Sequence, residues 1–205
     1  SREDELTKLS ASLEAKEEEL KLAQEKLEAR SIRVAELEFI INKKDSIVTA
    51  LKKSISKALI GLEGDGLTIE QRNGKVYVSL EEDLLFASGK YEVNRGGVVA
   101  LNKLAIVLAP QEDLEILVEG HTDSIPLSGK GLVTDNWDLS VMRATNVVKV
   151  LTKNLSLNPI QLTAAGRAEF VPIANNITAE GRSQNRRIEI ILSPNLDDLF
   201  QLLKK

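Results

Sequence analysis

The sequence predicts an α+β chain in two parts. A long α-helical coiled coil comes first, followed by a β/α/β/α/β-β domain whose mixed sheet carries helices on one face. Three observations predict this. Aliphatic residues recur every seven positions through the first third of the chain, a cluster of glycines ends that pattern, and alternating apolar runs then exchange with helical ones.

The helical part is written in its seven-residue spacing. Leu6, Leu13, Leu20, Leu27, Val34, Ile41, Val48, Ile55 and Leu62 are all aliphatic, and a heptad repeat sustained this long is the signature of a left-handed coiled coil. The companion seam position is poorer, with Lys16, Arg30 and Lys44 among its residues. Long stems of this kind can lie along a narrow seam while their charged heads reach water, which favours a parallel homodimer and leaves a trimer open. At about 1.5 Å per residue the rod would reach roughly 85 Å. Residues 1–62 are therefore expected to be a coiled-coil spacer, and the glycines of "GLEGDGLT" place a linker at 63–66.

The domain is expected over 67–194. Val76, Val78 and Leu80 alternate with Tyr77 and Ser79, and Asn73-Gly74 separates this run from "LTIEQR". Both turn residues tolerate positive φ, so the pair reads as a hairpin. Val98, Leu101, Ala105 and Leu108 share one helical face that Pro110 closes. "LEILVEG" (114–120) reads as a strand, 139–153 as a second helix, "LTAAG" (162–166) as a short strand and "NRRIEIIL" (185–192) as the last one. Strands alternating with helices after a hairpin give a mixed sheet with helices on one side. After Pro194, "NLDDLFQLL" is expected to form a C-terminal helix (195–205) packed on the domain.

Composition removes several function classes. With 27 Lys+Arg against 31 Asp+Glu and a net charge of -4, the chain lacks the basic stripe of nucleic-acid binders. It has no cysteine and one histidine, so no disulfide and no zinc site of the usual kind is expected. No apolar run approaches the ~18 residues of a membrane span, so any membrane attachment is expected through an anchor absent from this chain. His121, Asp123 and Ser124 lie too close along one segment for a catalytic triad. "GKG" (129–131) lacks phosphate-loop spacing and "GDG" (64–66) lacks the later carboxylates of a calcium loop. The chain is expected to be no enzyme and to carry no cofactor.

Two charges stand where hydrocarbon is expected. Asp123 follows the strand "LEILVEG", and Arg143 sits in the apolar pattern of the second helix beside Leu139 and Val147. A buried guanidinium is costly unless paired, and Asp123 is the expected partner. Either the two form a plain internal ion pair, or they clasp a zwitterion, the carboxylate taking an ammonium and the guanidinium a carboxylate. Asn136 could add amide hydrogen bonds near the helix start.

"VEGHTD", "NWDLSVMRATNVV", "LTAAGRAE" and "NRRIEIIL", in this order, resemble the motifs of the OmpA-like peptidoglycan-binding domain, the family of OmpA tails, Pal lipoproteins and MotB stator proteins. The resemblance spans roughly residues 66–194. It implies non-covalent binding of the diaminopimelate residue of the peptidoglycan stem peptide. The ligand-holding aspartate matches Asp123 beside Thr122 in "HTD", the arginine matches Arg143, and the upstream asparagine matches Asn136. In "NRR" the match falls on Arg186 or Arg187, one of which can serve only the sheet. The loop after Asp123 is longer than in OmpA and, with "NWDLS", is closer to MotB and to certain long envelope lipoproteins. The resemblance implies a periplasmic protein that anchors the outer membrane or envelope to the wall. A MotB-like stator subunit is the alternative, and a wall-modifying enzyme is excluded by the missing catalytic set.

Overall fold

The computed structural model describes residues 1–61, 66–128, 131–153 and 157–195. Most of the expected linker, the last seam residue Leu62 and the expected C-terminal helix lie outside these residues.

Helix α1 runs from Arg2 to Ala58, uninterrupted because no proline or glycine occurs within it. The seam residues Leu6, Leu13, Leu20, Leu27, Val34 and Ile41 are between 52% and 69% exposed, as a rod awaiting a partner would be. The remainder of the helix packs against the rest of its own chain. Ile40, Val48, Leu51, Ile55 and Leu59 are buried, and from Val48 onward they belong to the same apolar cluster as the sheet. Positions 48, 51, 55 and 59 step by three or four, so they form one face of a 3.6-residue helix. That face packs on residues 67–72, 75–81, 95–108 and 187–194 of its own chain.

Strands β1 (Leu67–Arg72) and β2 (Lys75–Glu81) form the expected hairpin, with Asn73 and Gly74 at φ 53° and 67°. A one-turn helix α2 (Glu82–Leu85) follows directly. Helix α3 (Arg95–Leu108) is capped by Asn94, whose side chain accepts from the Gly97 amide at 2.7 Å. Strand β3 (Leu114–His121), helix α4 (Asn136–Lys153) and strand β4 (Leu162–Gly166) make a parallel crossover unit. Helix α5 (Ala179–Asn185) leads into β5 (Arg187–Pro194). The sheet order is β1-β2-β5-β3-β4, antiparallel except for the β3–β4 pair.

One face of the sheet presents Val76, Val78, Leu80, Ile116, Val118, Ile188 and Ile190 to α3, α4 and the end of α1. Two glycines bring α4 down onto the carboxyl ends of β3 and β4. A Cβ on Gly120 would lie 2.0 Å from the Ser140 carbonyl oxygen, and one on Gly166 would lie 2.4 Å from the Ser140 Oγ. This close approach carries Asn136 and Arg143 to the end of β3. The opposite face is polar where β3 meets β5, and the segment after β4 crosses it: Arg187 Nη2 donates to the Val171 carbonyl at 3.3 Å.

Candidate functional site

The site lies at the carboxyl end of β3, where open sheets tend to place ligand crevices. Asp123 stands two residues beyond the strand. Its Oδ1 accepts from the Ile125 amide at 3.0 Å and its Oδ2 from Arg186 Nη1 at 2.9 Å. Asn136, the first residue of α4, donates from Nδ2 to the carbonyls of Ile125 (3.1 Å) and Asp123 (3.4 Å), fixing the turn that aims the carboxylate. Thr122 Oγ1 donates to the Asp123 carbonyl at 3.1 Å, and its amide ties the strand end to the Ala168 carbonyl at 2.9 Å.

Asp123 is not the partner of Arg143, and that expectation is corrected. Arg143 is only 2% exposed; its Nη2 donates to Glu82, its Nε to the Lys90 carbonyl at 2.9 Å, and its guanidinium lies 5.0 Å from the Phe86 ring centroid. Burial lowers the Arg143 pKa below its ordinary value, and the charge and hydrogen bond of Glu82 act against that. The other oxygen of Glu82 pairs with Arg186 Nε. Four charges thus form one line: Arg143, Glu82, Arg186, Asp123. For Arg186, burial pulls downward, but Asp123 and Glu82 outweigh it and hold the guanidinium above its usual pKa.

The adjacent arginines diverge where α5 gives way to β5: Arg186 caps the helix and Arg187 is the first residue of the strand. Arg186 reaches the site with 29% of its side chain exposed. Arg187 is buried on the other face, donating to Glu189 Oε1 at 3.0 Å and to the Asn185 carbonyl at 3.3 Å. The structure therefore brings together Thr122, Asp123, Asn136 and Arg186, sets Arg143 behind Glu82, and keeps Arg187 apart.

Glu82 is the residue that sequence reading missed. It lies 61 positions from Arg143, in the one-turn helix α2, and neither periodicity nor motif marks it. Nearby, Trp137, which follows Asn136, stacks on Phe170 with ring centroids 5.5 Å apart. A buried carboxylate opposed to a partly exposed guanidinium at a strand end can hold a group that bears both charges.

The OmpA family matches residues 85–186. The chain is 35% identical over 117 residues to motility protein B of Bacillus subtilis, an alignment covering 57% of this chain and 44% of that protein. Among solved structures, it is similar to the cell wall anchor of the T6SS from Pseudomonas aeruginosa (30% identity, TM-score 0.63), covering 69% of this chain and 97% of that one. It is likewise similar to the periplasmic domain of Helicobacter pylori MotB (29% identity, TM-score 0.62), covering 71% and 90% of the two chains. The chain spans 44% and 51% of the two Bacillus subtilis relatives it matches. The matched region contains the Asp123 strand end, α4 with Arg143, and Arg186. Residues 85–186 match the OmpA family, and the globular part of the chain is a peptidoglycan-binding periplasmic domain of the OmpA/MotB type.

Proposed function

We propose that this domain holds the wall by the zwitterionic end of diaminopimelate in the peptidoglycan stem peptide. The observation that carries the reading is the partly solvated Asp123–Arg186 pair, with nitrogen and oxygen 2.9 Å apart at the end of β3. Asp123 takes the ligand ammonium, Arg186 takes its carboxylate, and Asn136 and Thr122 hold the turn that presents Asp123. Arg143 acts from behind: with Glu82 it fixes the position from which Arg186 reaches outward. Exchanging one internal pair for two ligand pairs gains charge-assisted hydrogen bonds without leaving an uncompensated charge in the site.

For the whole protein we propose a wall-attached subunit of the MotB type. Similarity to motility protein B over the globular part supports this above outer-membrane anchoring, the first expectation from sequence. The rival retains a specific support, since outer membrane porin F of Pseudomonas aeruginosa is 34% identical over 112 residues. The upstream part of the encoded protein separates the two: an apolar membrane-spanning helix favours the stator, and a lipidated cysteine favours the anchor.

Co-sedimentation of the full chain with purified sacculi tests the site. The wild type is expected to pellet with the wall. Asp123→Ala and Arg186→Ala should each weaken binding by about 2–5 kcal/mol, as truncation of one member of a hydrogen-bonded charge pair does. Folded variants that pellet at wild-type levels would overturn the assignment.

A further inference from the structure

On the sheet face away from the helices, two carboxylates and the chain's one histidine converge without a role in wall binding. Glu119 and Glu189 are direct cross-strand partners on antiparallel β3 and β5, and each is only 6% exposed. Like charges directly opposite on a sheet repel, the more so when buried. Arginines answer half of this. Glu119 Oε1 accepts from Arg167 Nε and Nη2 at 3.1 and 2.8 Å, and Glu189 Oε1 accepts from Arg187 Nε at 3.0 Å and Arg72 Nη2 at 3.4 Å. The second oxygen of each carboxylate is turned toward His121 instead. His121 Nε2 lies 3.8 Å from Glu119 Oε2 and 4.0 Å from Glu189 Oε2, too far for hydrogen bonds. The imidazole is 1% exposed, and neither ring nitrogen has a hydrogen-bond partner among the described residues. Burying such nitrogens without partners is costly.

We propose that Glu119, His121 and Glu189 bind a divalent transition cation of the zinc class. The three donor atoms lie within 4.8 Å of one another. Ligands about 2.1 Å from one ion stand roughly 3.4–3.6 Å apart, so the histidine edges, now 3.8 and 4.0 Å, must draw in by a few tenths of an ångström and the widest separation, within 4.8 Å, by up to about 1.3 Å. One imidazole and two carboxylates make a three-ligand set that leaves a position for water. Arg167 and Arg187 orient the carboxylates from behind, as outer hydrogen bonds do at metal centres. Glu189 also borders a cleft of about 240 Å³ with Arg72, Tyr77, Ser79 and Ile173. Neither ring nitrogen of His121 has a hydrogen-bond partner among the described residues, so a lone pair is free to ligate. Arg167 and Arg187 also repel a cation, which weakens its binding. His121 precedes Asp123 by two residues, and a bound ion would brace the strand end that carries it.

The test uses the full chain with zinc chloride as the probe. Titration calorimetry should give one equivalent bound, and nitrogen NMR should show Nε2 of the single histidine moving to a metal-bound shift. Glu119→Gln and Glu189→Gln, close in shape to wild type, should each weaken binding by roughly tenfold or more, in line with loss of one ligand, whereas Glu14→Gln on the exposed part of α1 should leave it unchanged. No zinc-dependent change at the histidine up to millimolar zinc would overturn the proposal and leave a bridging water as the occupant. Binding that survives both glutamine variants would place the ion elsewhere and overturn it equally.

Discussion

Replacing Glu82 by glutamine removes the carboxylate on which two guanidinium groups converge. Glu82 is 6% exposed and Arg143 2%, so the charge left on Arg143 has almost no water to compensate it. Breaking a buried pair from one side typically costs 3–5 kcal/mol. Arg186 adds less, since its side chain is 29% exposed and keeps Asp123. We therefore expect Glu82→Gln to lose about 3–5 kcal/mol of folding stability. At a urea dependence of about 2 kcal/mol per molar, the midpoint falls by roughly 1.5–2.5 M. Urea unfolding followed by Trp137 fluorescence reads this cleanly, because the single tryptophan sits on the globular part against Phe170. The double variant Glu82→Leu with Arg143→Met should recover much of the loss, since no buried charge then stands alone. A Glu82→Gln midpoint within about 0.3 M of wild type would mean that the line of four charges carries no such energy.

Gly120→Ala should be destabilised by at least about 3 kcal/mol in the same unfolding assay, because its Cβ would meet the Ser140 carbonyl oxygen at 2.0 Å. His121 sets a pH dependence in chelator-treated protein. Its folded pKa, about 3, lies below the ordinary 6.5, so its contribution is complete above pH 6.5 and is lost as the pH falls. Roughly 2 kcal/mol should disappear between pH 6.5 and 5 at 1.36 kcal/mol per unit, and His121→Gln should flatten that slope. For the rod, sedimentation equilibrium should find the full chain dimeric and a Leu13→Glu, Leu20→Glu, Leu27→Glu variant monomeric with its globular part still folded. A monomeric wild type at tens of micromolar would leave a solvated helix.

The strand positions were legible because alternation and the Asn73-Gly74 turn are local signals. The parallel β3–β4 pair was implicit in a strand–helix–strand order. Helices α2 and α5 were not legible, being four and seven residues long and too short to show a period. The heptad repeat marked α1 correctly but could not say where its partner changes. Val48 and Ile55 continue the seven-residue series, yet they pack on their own domain, because a seam residue is equally apolar for either partner. At the site, Asp123 and Arg143 were marked as charges in apolar surroundings. The Arg143–Glu82 pairing was hidden because it joins distant segments through a short helix without a motif. Arg186 and Arg187 could not be told apart until the end of α5 and the first residue of β5 were fixed.

Calorimetric titration of the full chain with two stem peptides tests the proposed grip most directly. One peptide carries diaminopimelate, and the other carries lysine at the same position, which keeps the ammonium and lacks the neighbouring carboxylate. The diaminopimelate peptide should bind at least tenfold more tightly, a difference of about 1.4 kcal/mol, and Arg186→Gln should erase the preference while leaving the weaker lysine-peptide binding in place. Equal affinity of the wild type for the two peptides would contradict the assignment of the ligand carboxylate to Arg186.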